Sequence, residues 1–230
     1  MYSAVGNMKM KKELKVRDFS RFEEVMHALT HGIGSLLSIL GFILLILKAS
    51  DYKTADIISV AVFGASLVIL YSASCAYHAS CARYGEHTVS HVRDFFMKCD
   101  HCMIFILIVG TYTPACISAM GGWVGWTVFG TVATLCTLGI ILNAIDVERF
   151  SKISLVLYIL TGWTIAVASV PYFNAVGALG FAFLIAGGIL YTIGVVFYKL
   201  KHIPYMHVIW HLFVLGGSIM HYIMVYFFCY

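Results

Sequence analysis

Two histidines four residues apart, His207 and His211, open the last apolar run of the chain, "HVIWHLFVLGGSIMHYIMVYFF". At that spacing both rings leave one helix face about 6 Å apart at the backbone, close enough for both to ligate one ion. A third donor is needed, and His31, His78, His101 and His221 are candidates. His221 lies ten residues beyond His211, or ~15 Å along a helix. A metal–nitrogen bond is only ~2 Å long, so His221 is out of reach of the same ion. Three histidines around zinc leave a fourth position for water, the arrangement that generates a hydrolytic nucleophile near neutral pH. Val208 follows His207, so the glutamate of the HExxH zinc motif is missing and a base must come from elsewhere. Asp100 is the nominee, acting on the water or orienting a histidine; Ser74, one turn before His78, could orient or stabilise similarly.

These residues belong to a chain whose composition dictates its solvent. Of 230 residues, 61% are hydrophobic and 11% charged, against about a quarter charged in soluble domains, so the chain reads as an integral membrane protein. Apolar runs at about 32 to 49, 55 to 78, 95 to 119, 123 to 145, 152 to 172, 175 to 198 and 206 to 228 predict seven spans. Lipid offers the backbone no hydrogen-bond partner and strand alternation is absent, so the predicted fold is all-α, a seven-transmembrane-helix bundle. Pro114, Pro171 and Pro204 fall in or near spans three, five and seven. Gly121-Gly122 predicts a turn and Gly187-Gly188 a close helix contact. Residues 1–22 carry six basic residues before any apolar core and read as a retained basic tail, with one membrane domain over 23–230. Seven cysteines in no framework spacing read as reduced and structural, and the CxxC of Cys99 and Cys102 as no ligand pair. Nothing suggests a nucleic-acid partner; a membrane lipid is the expected substrate or ligand.

The predicted connections divide the fifteen basic residues thirteen to two. The tail, Arg83, Arg93, Lys98, Arg149, Lys152, Lys199 and Lys201 lie on one side; Lys48 and Lys53 lie on the other. The positive-inside rule then places the N-terminus in the cytoplasm and the C-terminus outside. On that topology His78 ends span two, Asp100 begins span three and His207 and His211 begin span seven, all in the cytoplasmic leaflet. An ionisable group inside a span costs a few kcal/mol unless it is paired or hydrated, so four such groups at one depth mark a site. His78 is the best third ligand by depth. The competing readings are a proton path or helix contact for the HxxxH pair, a pairing of Asp100 with Lys98 or a histidine, and a helix-carbonyl bond for Ser74. Glu23, His27 and His31 form an i, i+4, i+8 stripe that reads as an interfacial network rather than as ligands. His87, His91 and His202 read as loop residues.

The run Glu23-Glu-Val-Met-His-Ala-Leu-Thr30-His31-Gly32, then Ser74-x-x-x-His78, Asp100-His101 leading to Gly110-Thr-Tyr-Thr-Pro114, and His207-x-x-x-His211 resembles the hemolysin III family. That family is grouped with the progestin and adiponectin receptors and the alkaline ceramidases. The resemblance covers residues from about 22 to 225. It implies a seven-helix bundle with zinc near the cytoplasmic side on His78, His207 and His211, and Asp100 and Ser74 close by through water. Its relatives look like amide hydrolases acting on ceramide-like lipids, or receptors. One departure is visible: the family motif reads Glu-x-x-Asn-x-x-Thr-His, and His27 stands at the asparagine if Glu24 is the family glutamate. The resulting expectation is a multi-pass protein of the plasma membrane, or of the cytoplasmic membrane in a bacterium, and a zinc-dependent hydrolase of a lipid amide or ester. The alternative is a sensor or haemolysin-type pore former with a structural zinc.

Overall fold

A computed structural model describes residues 19–84 and 90–230. Most of the basic tail and His87 therefore lie outside the described residues. The described residues are all-helical: α1 (Arg21–Ala49), α2 (Thr54–Tyr84), α3 (Ser90–Thr113), α4 (Gly122–Ile145), α5 (Val147–Gly162), α6 (Ser169–Lys199) and α7 (Met206–Phe228). A π-helical stretch, Pro114–Met120, continues α3, and a 3-10 turn, Thr164–Ala168, joins α5 to α6. Proline at the first position of the π-helical stretch lacks the N–H that the α-helical ladder of α3 would use next.

Among the described residues six stretches are long and apolar enough to cross a membrane, one of them the 53 residues from Val147 to Lys199. The predicted runs at 152–172 and 175–198 both fall within that single length. Pro171 does not interrupt it. It sits in the first turn of α6, where a missing N–H leaves no bond unmade.

The packing inverts that of a soluble domain. On α1 the exposed residues include Leu36, Leu40, Ile43 and Leu47, whereas the buried ones include Glu23, Glu24, His27, His31 and Ser38. Water would reject such a surface and hydrocarbon would not, so the chain is a multi-pass membrane protein. Inside, Phe63, Phe105, Tyr172 and Met224 fill the core. Small residues admit the helices to one another. A Cβ on Gly139 would lie 2.1 Å from the Phe105 ring, and one on Gly187 would lie 2.3 Å from the His221 ring. Gly121 and Gly122 take φ of 62° and 58°, the turn their sequence predicts.

α1 starts at Arg21, about eleven residues before its apolar run. A capping box explains the extension: Ser20 accepts from the backbone N–H of Glu23, and the Glu23 carboxylate accepts from Ser20 N. The extra turns carry Glu23, Glu24 and His27 into the bundle. His91, read as a loop residue, instead stands in the first turn of α3, while His202 lies in the α6–α7 connection.

Candidate metal site

α1 and α2 are antiparallel neighbours, so the start of α1 meets the end of α2; the start of α7 closes on both. One nitrogen from each of His78, His207 and His211 gathers within 4.8 Å of the others, a group that could hold a metal ion. His78 and His211 are buried and His207 partly so.

The ring nitrogens are set for such a role. Glu24 Oε2 lies 2.6 Å from His78 Nδ1. A carboxylate accepts only, so this bond puts the ring proton on Nδ1 and leaves Nε2 with its lone pair. That Nε2 is buried and has no hydrogen-bond partner. A carboxylate behind an imidazole is the arrangement that fixes the tautomer and raises the basicity of metal-ligating histidines. His211 has a similar support: its Nδ1 is 3.1 Å from Thr30 Oγ1, and that hydroxyl already donates to the carbonyl of Met26 or His27. Thr30 therefore accepts from Nδ1–H, and Nε2 of His211 is again left free. His31 stacks on His211 with ring centroids 3.7 Å apart.

His27 stands among the three. Its ring centroid is 4.7 Å from that of His78, 4.8 Å from His207 and 5.2 Å from His211. Its Nδ1 lies 3.6 Å from Glu24, and Glu24, His27 and His78 form a second buried three-donor group. Both nitrogens of His27 and both of His31 are buried without a hydrogen-bond partner. A buried polar group in that condition costs on the order of 1–3 kcal/mol, so four of them in one place fit a site built to be occupied. Phe19 covers the cluster, 4.8 Å from His27 and 5.1 Å from His207.

Glu23 fixes the third wall. Its Oε1 accepts from the backbone N–H of Tyr205 at 2.9 Å. Tyr205 caps α7 with φ of 64°, the left-handed conformation that residues other than glycine seldom adopt. The bond holds the turn that aims His207 and His211.

The other predicted residues are placed as follows. Ser74 is buried one turn before His78 on α2. Asp100 makes its close contact with His101, 3.7 Å away, and belongs to neither three-donor group. His101 turns its Nδ1 to the Met97 carbonyl, and His221 bonds the Leu184 carbonyl, so both rings are engaged by backbone. Cys99 and Cys102 form no disulfide among the described residues, nor do the other five cysteines. Sequence reasoning missed two supports, Glu24 behind His78 and Thr30 behind His211. The i, i+3 spacing of Glu24 and His27 was the available signal for the first; no spacing signals the second.

Over residues 19–222 the chain matches the model of the "Haemolysin-III related" family. It belongs to that family. Among its relatives, "Hemolysin-3" of Bacillus cereus is 42% identical over 201 residues, which span 86% of this chain and 88% of the relative. "Hemolysin-3 homolog" of Bacillus subtilis is 39% identical over 212 residues, 92% of this chain and 96% of the relative. The human "Monocyte to macrophage differentiation factor" is 27% identical over 211 residues, covering 87% and 82%. The bacterial members of the family and the apolar helices agree on a multi-pass protein of the cytoplasmic membrane.

Proposed function

We propose that this haemolysin III-family protein binds zinc through His78, His207 and His211 and hydrolyses a lipid amide or ester. The observation that carries the reading is the set of three imidazoles within 4.8 Å of one another, one of them backed by a buried carboxylate. Imidazoles whose ring nitrogens keep a lone pair suit zinc, and the bonds to Nδ1 leave that lone pair on Nε2 of His78 and of His211. Such an ion, when bound, polarises a carbonyl and activates water for attack. The rest falls to the chain. Glu24 and Thr30 hold the two rings by their Nδ1 protons, and Phe19 keeps bulk water from the rings. Ser74 and Asp100 are the polar residues assigned to assist.

Seven crossings and a cytoplasmic N-terminus belong to the same proposal. A 53-residue helix would run ~80 Å, against a hydrocarbon core of ~30 Å, so the length from Val147 to Lys199 has to cross twice. Gly177, with φ of 69° and ψ of 179°, is the break at which it turns. The thirteen-to-two division of basic residues then sets the direction.

Metal analysis of purified protein, paired with lipid profiling of cells with and without it, tests the reading. About one zinc per chain and loss of both zinc and hydrolysis in His207→Ala are expected; a fully active mutant overturns it. One observation favours a second reading. With His27 in the midst of the three rings, the ion has a further donor at hand, as in closed structural sites. A sensor or pore former with a structural zinc would lose thermal stability on metal removal and turn over no lipid in any extract.

A further inference from the structure

Two recesses meet on the outer face of the bundle beside the start of α1. The larger, of about 570 Å³, is a trough between α1 and α2. Leu29, Ile33 and Leu36 line one side of it, all at least half exposed, and Gly32 faces Cys75 across it; a Cβ on Gly32 would lie 3.3 Å from Cys75 Sγ. The smaller, of about 330 Å³, is walled by Phe19, Glu24, Cys81 and Tyr84. Arg21, Ala82 and Arg83 line both.

The two arginines decide what fits. Both are exposed, and neither has a carboxylate partner among the described residues; Arg83 leans over the ring of Tyr84, 5.2 Å from its centroid. The acidic group facing them is Glu24, and its carboxylate is taken up by His78. Two guanidiniums at the head of a trough that is otherwise apolar match a ligand with an anionic head and a hydrocarbon tail. The depth agrees. From Val25 to Leu36 α1 rises ~16 Å, about half the ~30 Å hydrocarbon core, which is what one acyl chain occupies.

We propose that the trough between α1 and α2 binds an anionic phospholipid, its phosphate between Arg21 and Arg83 and one acyl chain lying against Leu29, Ile33 and Leu36. The assignment goes beyond the metal reading and does not rest on it. The bound lipid closes the flank of the bundle next to Glu24, the carboxylate that holds His78.

The test is native mass spectrometry of the full chain released from mixed vesicles of phosphatidylglycerol and phosphatidylcholine with matched chains. One retained phosphatidylglycerol is expected, preferred roughly 30-fold over phosphatidylcholine, the product of two basic contacts near the surface. R21Q/R83Q should bring the preference to within twofold, and R21K/R83K should restore most of it. A79L leaves both arginines and narrows the trough, so it should weaken retention of the lipid of either headgroup. Preference surviving in R21Q/R83Q, equal retention of phosphatidylcholine by the wild-type chain, or unchanged retention in A79L would each overturn the proposal. So would release of the lipid by millimolar inorganic phosphate, which would mark an anion site with no part for the tail. Because His207→Ala leaves the trough intact, it should retain the lipid as wild type does, which separates this result from any failure of the metal reading.

Discussion

A buried polar cluster among α3, α4 and α5 and one among α1, α2 and α7 differ in what they leave undone. Between α3, α4 and α5, Asn143 donates to Tyr158 Oη and to the His101 carbonyl, accepts from Ser154, and shares that carbonyl with Tyr158. Each of these side chains has a partner, which is how a polar network stabilises helix packing within hydrocarbon. Between α1, α2 and α7 the polar groups are denser and less satisfied. His27 and His31 have no hydrogen bond to either ring nitrogen, and Nε2 of His78 has none. The contrast separates a polar cluster whose hydrogen bonds are complete from one whose ring nitrogens lack hydrogen-bond partners.

Substitutions should break the two clusters in different currencies. The largest effect is expected from His78→Ala or His207→Ala: removal of one of three ligands should take bound metal from about one ion per chain to a trace, read by mass spectrometry of metals. Glu24→Gln keeps the shape of the carboxylate but not its charge. It should weaken metal affinity by 10- to 100-fold, the usual loss when the partner behind a ligating histidine is changed, as measured by competition with a chelator. An unchanged affinity would mean that Glu24 serves packing alone. Asn143→Ala should do the reverse. It leaves Ser154 and Tyr158 short of partners and should lower unfolding stability by about 1–3 kcal/mol with metal content unchanged; metal loss there would erase the distinction between the clusters. Thr30→Val should have the smallest effect, a few-fold loss of metal affinity, because His31 still stacks on His211 and restrains its ring.

Much of this was legible beforehand, for reasons that can be traced residue by residue. Hydrocarbon tolerates so few ionisable groups that His78, His207 and His211 stood out by rarity, and helical rise placed them at one depth. Depth along a helix is readable from spacing, but rotation about its axis is not. Asp100 shares the depth and yet makes its close contact with His101. Glu24 and His27 lay in what looked like a polar approach to span one, because hydropathy sees no helix there; the capping box of Ser20 and Glu23 builds the turns that deliver them. Runs 152–172 and 175–198 part at residues 173–174, whereas the helical break comes at Gly177, inside the second run.

The bond from Glu23 to Tyr205 joins residues 182 positions apart. During synthesis at about 5–20 residues per second, the first helix waits roughly 10–40 s for the segment that completes its hydrogen bonds. Glu24 and His78 can pair early in that interval, since both precede the third helix. The remaining two imidazoles arrive with the last helix of the chain, so the three-histidine group is among the final features to form, and a chain stalled before residue 207 would carry only the donor group of Glu24, His27 and His78.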